Sequence, residues 1–356
     1  MIYFLSIIFV FCTIVFVHEF GHYMAARSVG IRVEKFYLGF NFFGLGIKKK
    51  IGDTEYGIGA FPLGGYVKVS GIIDESMDTE TIGADYEYLS KTPLQQIWFS
   101  SAGVIMNLIL SMFLFSMIFY VEGVSEPNSS ARIGALVDNY PADQIGLKKN
   151  DLILSINQIP IKNWDEMTEI IQSSSIMKLL ITWDRDGTIY SDSIKVKSEK
   201  MLIDGEYTYR GIIGIGPVYN ESQKIGVIKS IELGFSRTLD WLFLTAQSFY
   251  IIIKGDASMD EIGGPILIAK LAGDSAKNGG IWALFGLMAI ISVNLAFINI
   301  LPIPGLDGGH ALISIIEGII GRKLPSKVKI SIQSIGMMIL FSLIILVIFN
   351  DIMRLI

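Results

Sequence analysis

Apolar residues along this chain fall into long unbroken runs, separated by stretches with a shorter rhythm. A membrane-crossing helix needs about 20 mostly apolar residues. Met1–Val17 is almost wholly apolar, and its helix can extend to about Met24. Ile97–Val121, Ile281–Leu301, and Ile335–Phe349 with its flanks are three more candidates. Leu233–Ile253 is weaker. Glu232, Arg237 and Asp240 fall in or beside its first half, which predicts an amphipathic helix at a membrane surface.

Between the first two runs the rhythm shortens. Val33–Phe40, Phe42–Lys48, Glu55–Ala60 and Leu63–Val69 are short, rich in β-formers and broken by glycine, so residues 31–70 read as β-structure. Residues 126–217 read as a separate soluble domain. There Ile133–Val137, Leu152–Asn157 and Lys178–Trp183 are expected strands, and Pro141–Leu147 and Trp164–Gln172 expected helices. No second copy of this pattern occurs, so no internal repeat is expected.

Composition supports the membrane reading. Of the 356 residues 51% are hydrophobic and 18% charged, against about a quarter charged in a typical soluble chain. The net charge of −5 and the lack of a long basic run argue against nucleic acid as a partner. The single cysteine, Cys12, excludes an intrachain disulfide. Met1-Ile2-Tyr3-Phe4 has no basic segment, and no Ala-x-Ala pattern closes the first run. A retained helix is therefore expected rather than a cleaved signal peptide.

Charge also sets an orientation. Arg27, Arg32, Lys35, Lys48, Lys49, Lys50, Lys68 and Lys91 lie between the first and second runs. Arg322, Lys323, Lys327 and Lys329 lie between the third and fourth. Basic residues favour the cytoplasmic side of short loops. Both loops are thus expected inside, with both termini and the 122–280 region outside.

The chain has three histidines, His18, His22 and His310. Two stand four apart in His18-Glu19-Phe20-Gly21-His22, which on a helix puts both imidazoles on one face. One zinc ion can bridge them, with Glu19 placed to deprotonate an attacking water. Ionisable groups at the end of an apolar span are costly unless they are paired or functional. Catalytic zinc takes three protein ligands. The third candidate lies in Asn299-Ile300-Leu301-Pro302-Ile303-Pro304-Gly305-Leu306-Asp307-Gly308-Gly309-His310, where two prolines end the third run and Asp307 follows in a glycine-rich turn. Residue chemistry favours Asp307 only slightly over His310. A metal-binding transporter would share these ligands. An inactive scaffold would not need Glu19.

His18–His22 joined to Asn299-x-x-Pro302-x-Pro304-x-Leu306-Asp307-Gly308-Gly309 resembles the site-2 protease family of intramembrane zinc metalloproteases. Pro62-Leu63-Gly64-Gly65-Tyr66-Val67-Lys68, Ala102-Gly103-x-x-x-Asn107, Gly263-Gly264-Pro265-Ile266-x-Ile268-Ala269-Lys270 and Phe349-Asn350-Asp351 are similar to its bacterial regulator-of-sigma-E type. The resemblance runs from end to end. It implies zinc ligands His18, His22 and Asp307, and Glu19 as the catalytic residue. It also implies a substrate-binding set of Asn294, Asn299, Pro302, Pro304, Gly64 and Gly65. Residues 31–70 would present a strand edge to an unwound substrate helix, and Gly64-Gly65 would allow close backbone approach.

The implied fold is a polytopic α-helical membrane protein of about four transmembrane helices, with a membrane-associated β-region and one extracytoplasmic PDZ-like α+β domain. In segments this gives a first helix at 1–26, a β-region at 27–95, a second helix at 96–121 and the PDZ-like domain at 122–220. An amphipathic or linker region at 221–280 follows, then a third helix at 281–303, an Asp-Gly-Gly loop and cytoplasmic segment at 304–333, and a fourth helix at 334–356. The expected partners are single-span membrane proteins and the lipid bilayer, with a peptide end possible near Arg132–Leu136. Candidate substrates are a pre-trimmed anti-sigma factor or remnant signal peptides. The expected location is a bacterial inner membrane. The best-studied relatives carry two PDZ domains in tandem, and this chain has one such pattern.

Overall fold

The computed structural model describes residues 1–41, 45–72, 82–203, 206–255 and 263–353. It divides into two compact units. One comprises Met1–Tyr120 with Gly226–Ile356, and the other Val121–Ile225.

The first unit is built on long apolar helices. Helix α1 spans Ile2–Ser28 and α2 spans Pro93–Glu122. Four described helical stretches are long and apolar enough to cross a membrane: Ile2–Ser28, Pro93–Glu122, Pro265–Ile300 and Ser326–Met353. At 1.5 Å rise per residue the first is about 40 Å long, more than the roughly 30 Å hydrocarbon core. Val10, Ile14, Leu114, Phe115, Leu284 and Met288 form an apolar core among the first three of these helices.

Four strands follow α1: β1 (Val33–Phe40), β2 (Gly46–Ile51), β3 (Thr54–Gly59) and β4 (Phe61–Val69). Their order in the sheet is β2-β3-β1-β4. β1 runs parallel to β3, with Lys35 opposite Glu55, and antiparallel to β4, with Tyr37 opposite Tyr66. β4 is therefore an edge strand, and it packs along α1. Aromatic contacts of Phe36 with Phe16 and Tyr23 fix the sheet to the helix. Of the expected strand Phe42–Lys48, residues 42–44 lie outside the described residues, and the observed strand runs on to Ile51.

The second unit carries β5 (Ile133–Leu136), α3 (Pro141–Gln144), β6 (Leu152–Ile156), β7 (Ile159–Pro160) and α4 (Trp164–Ser173). After these come β8 (Lys178–Arg185), β9 (Thr188–Lys195), β10 (Lys197–Ile203), β11 (Glu206–Ile212) and β12 (Ile215–Pro217). Ile133, Ile153, Ile156, Met167, Ile181 and Ile194 fill its core. Asp151, 1% exposed, is held by Arg185 at 2.7 and 2.8 Å and accepts the backbone N–H of Lys148.

Helix α5 (Val227–Lys254) contains the weak run and extends it in both directions. Its Gly234 and Thr238 meet Ser116 and Ser111 of α2. Its Phe235, Leu239 and Phe243 are exposed. α6 (Pro265–Asp274) continues through a five-residue π-helical segment, Ser275–Gly279, into α7 (Gly280–Ile300). Residues 265–279 are thus helical, not a linker, and lead into the third apolar run. Tyr3 donates to Asp274 at 2.7 Å, and the chain leaves helical geometry at Gly280, at φ +71° and ψ −162°, between the π segment and the rest of α7.

α8 (Asp307–Ile320) and α9 (Ser326–Met353) complete the unit. The expected Asp-Gly-Gly turn is instead the first turn of α8. Cβ atoms at Gly308 and Gly309 would fall 2.3 and 2.4 Å from the carbonyl oxygens of Ile300 and Ile303. The glycines serve as a close crossing of chain on chain, and the helix tolerates them there. Asp351 at the end of α9 caps α6, accepting the backbone N–H groups of Gly264, Ile266 and Leu267.

Candidate metal centre

α1 carries His18 and His22 on one face, 8% and 6% exposed. α2 crosses at that level, and small residues permit it. A Cβ on Gly21 would lie 2.5 Å from the carbonyl oxygen of Ala102, and one on Gly103 would lie 2.4 Å from His22 Nε2. The N-terminal turn of α8 brings in Asp307. His18 Nε2 and His22 Nε2 are 3.3 Å apart, and Asp307 Oδ2 lies 3.2 and 3.3 Å from them.

These three atoms form a nearly equilateral triangle. A tetrahedral ion with bonds of about 2.0 Å needs ligand atoms about 3.3 Å apart. Asp307 Oδ2 is buried and accepts no hydrogen bond. The donor set therefore fits zinc: two imidazole nitrogens and one carboxylate oxygen facing a common point.

Each imidazole is oriented from behind. His22 Nδ1 donates to the Phe99 carbonyl at 2.9 Å, which leaves its Nε2 lone pair for a metal. His18 Nδ1 faces the Asn107 side-chain amide at 3.2 Å, while Asn107 Oδ1 is buried without a partner. A half-turn of this amide sets Oδ1 against His18 Nδ1–H and satisfies both. Ser292 of α7 donates to the Asn107 carbonyl. Sequence reasoning had Asn107 in a motif but gave it no role, because only the crossing of α1 and α2 shows which group it meets. Outer partners of this kind are worth about 10–100-fold in metal affinity. Asn107→Ala is expected to weaken zinc binding by about that factor, measured by chelator competition. Asn107→Asp, which keeps an acceptor there, should retain zinc.

Glu19 follows His18 on α1 and turns towards β4. Gly65 lies against it, since a Cβ there would be 3.7 Å from Glu19 Cγ, and the Val67 backbone hydrogen-bonds its carboxylate. Gly64 stands next along the same edge strand, at φ +106° beside the Phe40 ring.

The remaining sequence candidates separate. Asn299 Nδ2 lies 3.4 Å from His18 Nε2, so Asn299 belongs to the centre. Pro302 lines a cavity together with Asn299 and Asp307. Pro304 packs against Gly336 of α9. Asn294 lies one and a half turns back on α7 and accepts a 2.7 Å hydrogen bond from Thr245 of α5. His310 lines a different cavity, beside Tyr88, Gln96, Ser314 and Gln333. Among the described residues the only group of metal-ligating side chains is His18, His22 and Asp307.

The model of a family described as Peptidase family M50 matches residues 6–343. A Campylobacter jejuni protein named "Putative zinc metalloprotease Cj1068" is 34% identical over 355 residues, covering 99% of this chain and 94% of that one. A Clostridium perfringens protein with the same style of name is 32% identical and covers 98% of each chain. The Enterococcus faecalis "Probable protease eep" is 27% identical, again covering 98% of each. Among solved structures, the PDZ domain of an SdrC-like protein from Listeria monocytogenes matches 27% of this chain and 94% of its own, at 21% identity and a TM-score of 0.22.

Proposed function

The chain belongs to peptidase family M50 and is a zinc metalloprotease of the site-2 protease family, a membrane protein by its apolar helices, and from that premise we propose that it cleaves single-span proteins within the bilayer. The observation that carries this reading is the position of the ligands. His18 and His22 lie on a helix long and apolar enough to cross a membrane, and Asp307 follows the end of another.

Zinc, when bound by His18, His22 and Asp307, polarises a scissile carbonyl and acidifies the attacking water. Glu19 takes the proton from that water and passes it to the leaving amine. Asn299, beside His18, is placed to donate to the substrate backbone. A transmembrane helix hides its peptide bonds in its own ladder, so cleavage requires local unwinding and new partners for the freed groups. The edge of β4 next to Glu19 supplies them by strand addition, with Gly64 and Gly65 admitting the incoming backbone. Pro302 and Pro304 end α7 beside this path, and Asn294 holds α5 to α7 through Thr245.

The basic residues of the two loops support a cytoplasmic side for residues 27–95 and 304–333 of a bacterial inner-membrane protein, with both termini outside. The Val121–Ile225 unit then acts outside as a PDZ-like gate or peptide-end receptor. Pre-trimmed anti-sigma factors and remnant signal peptides are the substrate classes that suit such an enzyme.

The test is metal removal. In nanodiscs, the protein should cut a single-span polypeptide inside its apolar segment, with the cut located by mass spectrometry. Cleavage should stop after treatment with 1,10-phenanthroline and return with stoichiometric zinc. Cuts confined to the flanking polar segments would defeat the intramembrane reading.

A further inference from the structure

Beside the metal centre a cavity of about 270 Å³ runs between α2 and α8. One wall is Ile97, Ser100, Ser101 and Val104 of α2; the other is Gly308, Ala311, Leu312 and Ile315 of α8. Both sets follow the i, i+3, i+4, i+7 spacing, so two helices turn matching stripes towards one groove. Its polar end is Asn299 and Asp307, at the zinc ligands. Small residues (Ser100, Ser101, Gly308 and Ala311) and branched ones (Ile97, Val104, Leu312 and Ile315) share the lining, and along α8 Gly308 and Ala311 stand within about one turn of Asp307. The groove thus reaches Asp307 and Asn299 at the metal centre and is otherwise lined mostly by apolar side chains.

We propose that this groove is a specificity subsite, which receives an aliphatic or aromatic side chain from the substrate residue adjoining the scissile bond, with Ala311 setting how large that side chain can be. The occupant follows from the groove's ends. A group entering it must be tethered at Asp307 and Asn299, where the scissile backbone sits, and must be apolar beyond its first carbons. The volume exceeds that of a leucine side chain and admits a phenylalanine ring. Pockets of this kind discriminate by size, and each misfitted methylene is worth about 10-fold or more in kcat/KM. The inference rests on the protease reading above and names the substrate feature that the same site selects.

The experiment uses the full chain in nanodiscs with single-span polypeptides carrying Ala, Leu or Phe next to the mapped cut. The wild type should prefer Leu or Phe over Ala. Ala311→Phe fills the groove and should lower the Phe-to-Ala ratio of kcat/KM by at least about 10-fold. Leu312→Ala lengthens it and should raise that ratio, which keeps the test open if the larger substitution fails to fold. Bound zinc reports an intact centre in each variant. A ratio unchanged in both variants, or one changed only through loss of a co-purifying phospholipid seen by native mass spectrometry, overturns the subsite. A wild type that cleaves none of the polypeptides defeats the protease reading and takes the subsite with it.

Discussion

Glu19→Gln is expected to leave zinc bound and to slow hydrolysis by about 10²–10⁴-fold, the usual weight of a positioned general base. The substitution preserves size and removes only the proton acceptor. Glu19 is not among the three ligand atoms, so the centre should assemble as before. The contact with Gly65 should survive too, because the amide has the same shape as the carboxylate. The measurement is cleavage of a single-span substrate by the purified variant, with zinc determined by mass spectrometry on the same sample. Wild-type turnover in a zinc-loaded Glu19→Gln protein would remove Glu19 from the mechanism.

Asp307→Ala and His310→Ala are expected to part company. The first should lose zinc and activity together, because it removes one corner of the triangle and leaves two imidazoles to hold the ion. The fall in affinity should exceed the roughly 10–100-fold seen for outer-layer partners. The second should keep zinc, since His310 faces a cavity away from His18 and His22. Zinc content after dialysis against a weak chelator reads both. If His310→Ala lost the metal and Asp307→Ala kept it, the assignment of the third ligand would be reversed. The contrast matters because residue chemistry alone ranked the two candidates almost equally.

The spans illustrate what an apolar pattern conveys. The runs at 1–17 and 97–121 carry few internal charges, so hydropathy locates them to within several residues of the observed helices. The third run begins earlier than the sequence suggested, because Lys270, Asp274, Lys277 and the Gly279–Gly280 pair look like a break. Only the packing of α6 against α1 supplies Asp274 with the Tyr3 hydroxyl, and the backbone turns out of helical geometry only at Gly280. The same limit applied to the Asp-Gly-Gly segment. Two glycines read as a turn until the crossing chain at Ile300–Ile303 shows why they stand in a helix.

For the candidate site, the chain by itself singled out two proposed ligands and the proposed base. A spacing of four on one helix puts His18 and His22 on the same face whatever the rest of the fold does, and Glu19 comes with them. It also determined the membrane setting, since length and apolarity of a helix are local properties. The proposed third ligand, the Asn107 and Phe99 contacts and the apolar groove come only from tertiary structure. Asp307 is 285 residues beyond His22, and residue chemistry favours it only slightly over His310 as a metal ligand. What decides is the close crossing of α1 on α2 at Gly21 and Gly103, and the return of α8 past the end of α7, which together leave one carboxylate oxygen 3.2–3.3 Å from two imidazole nitrogens.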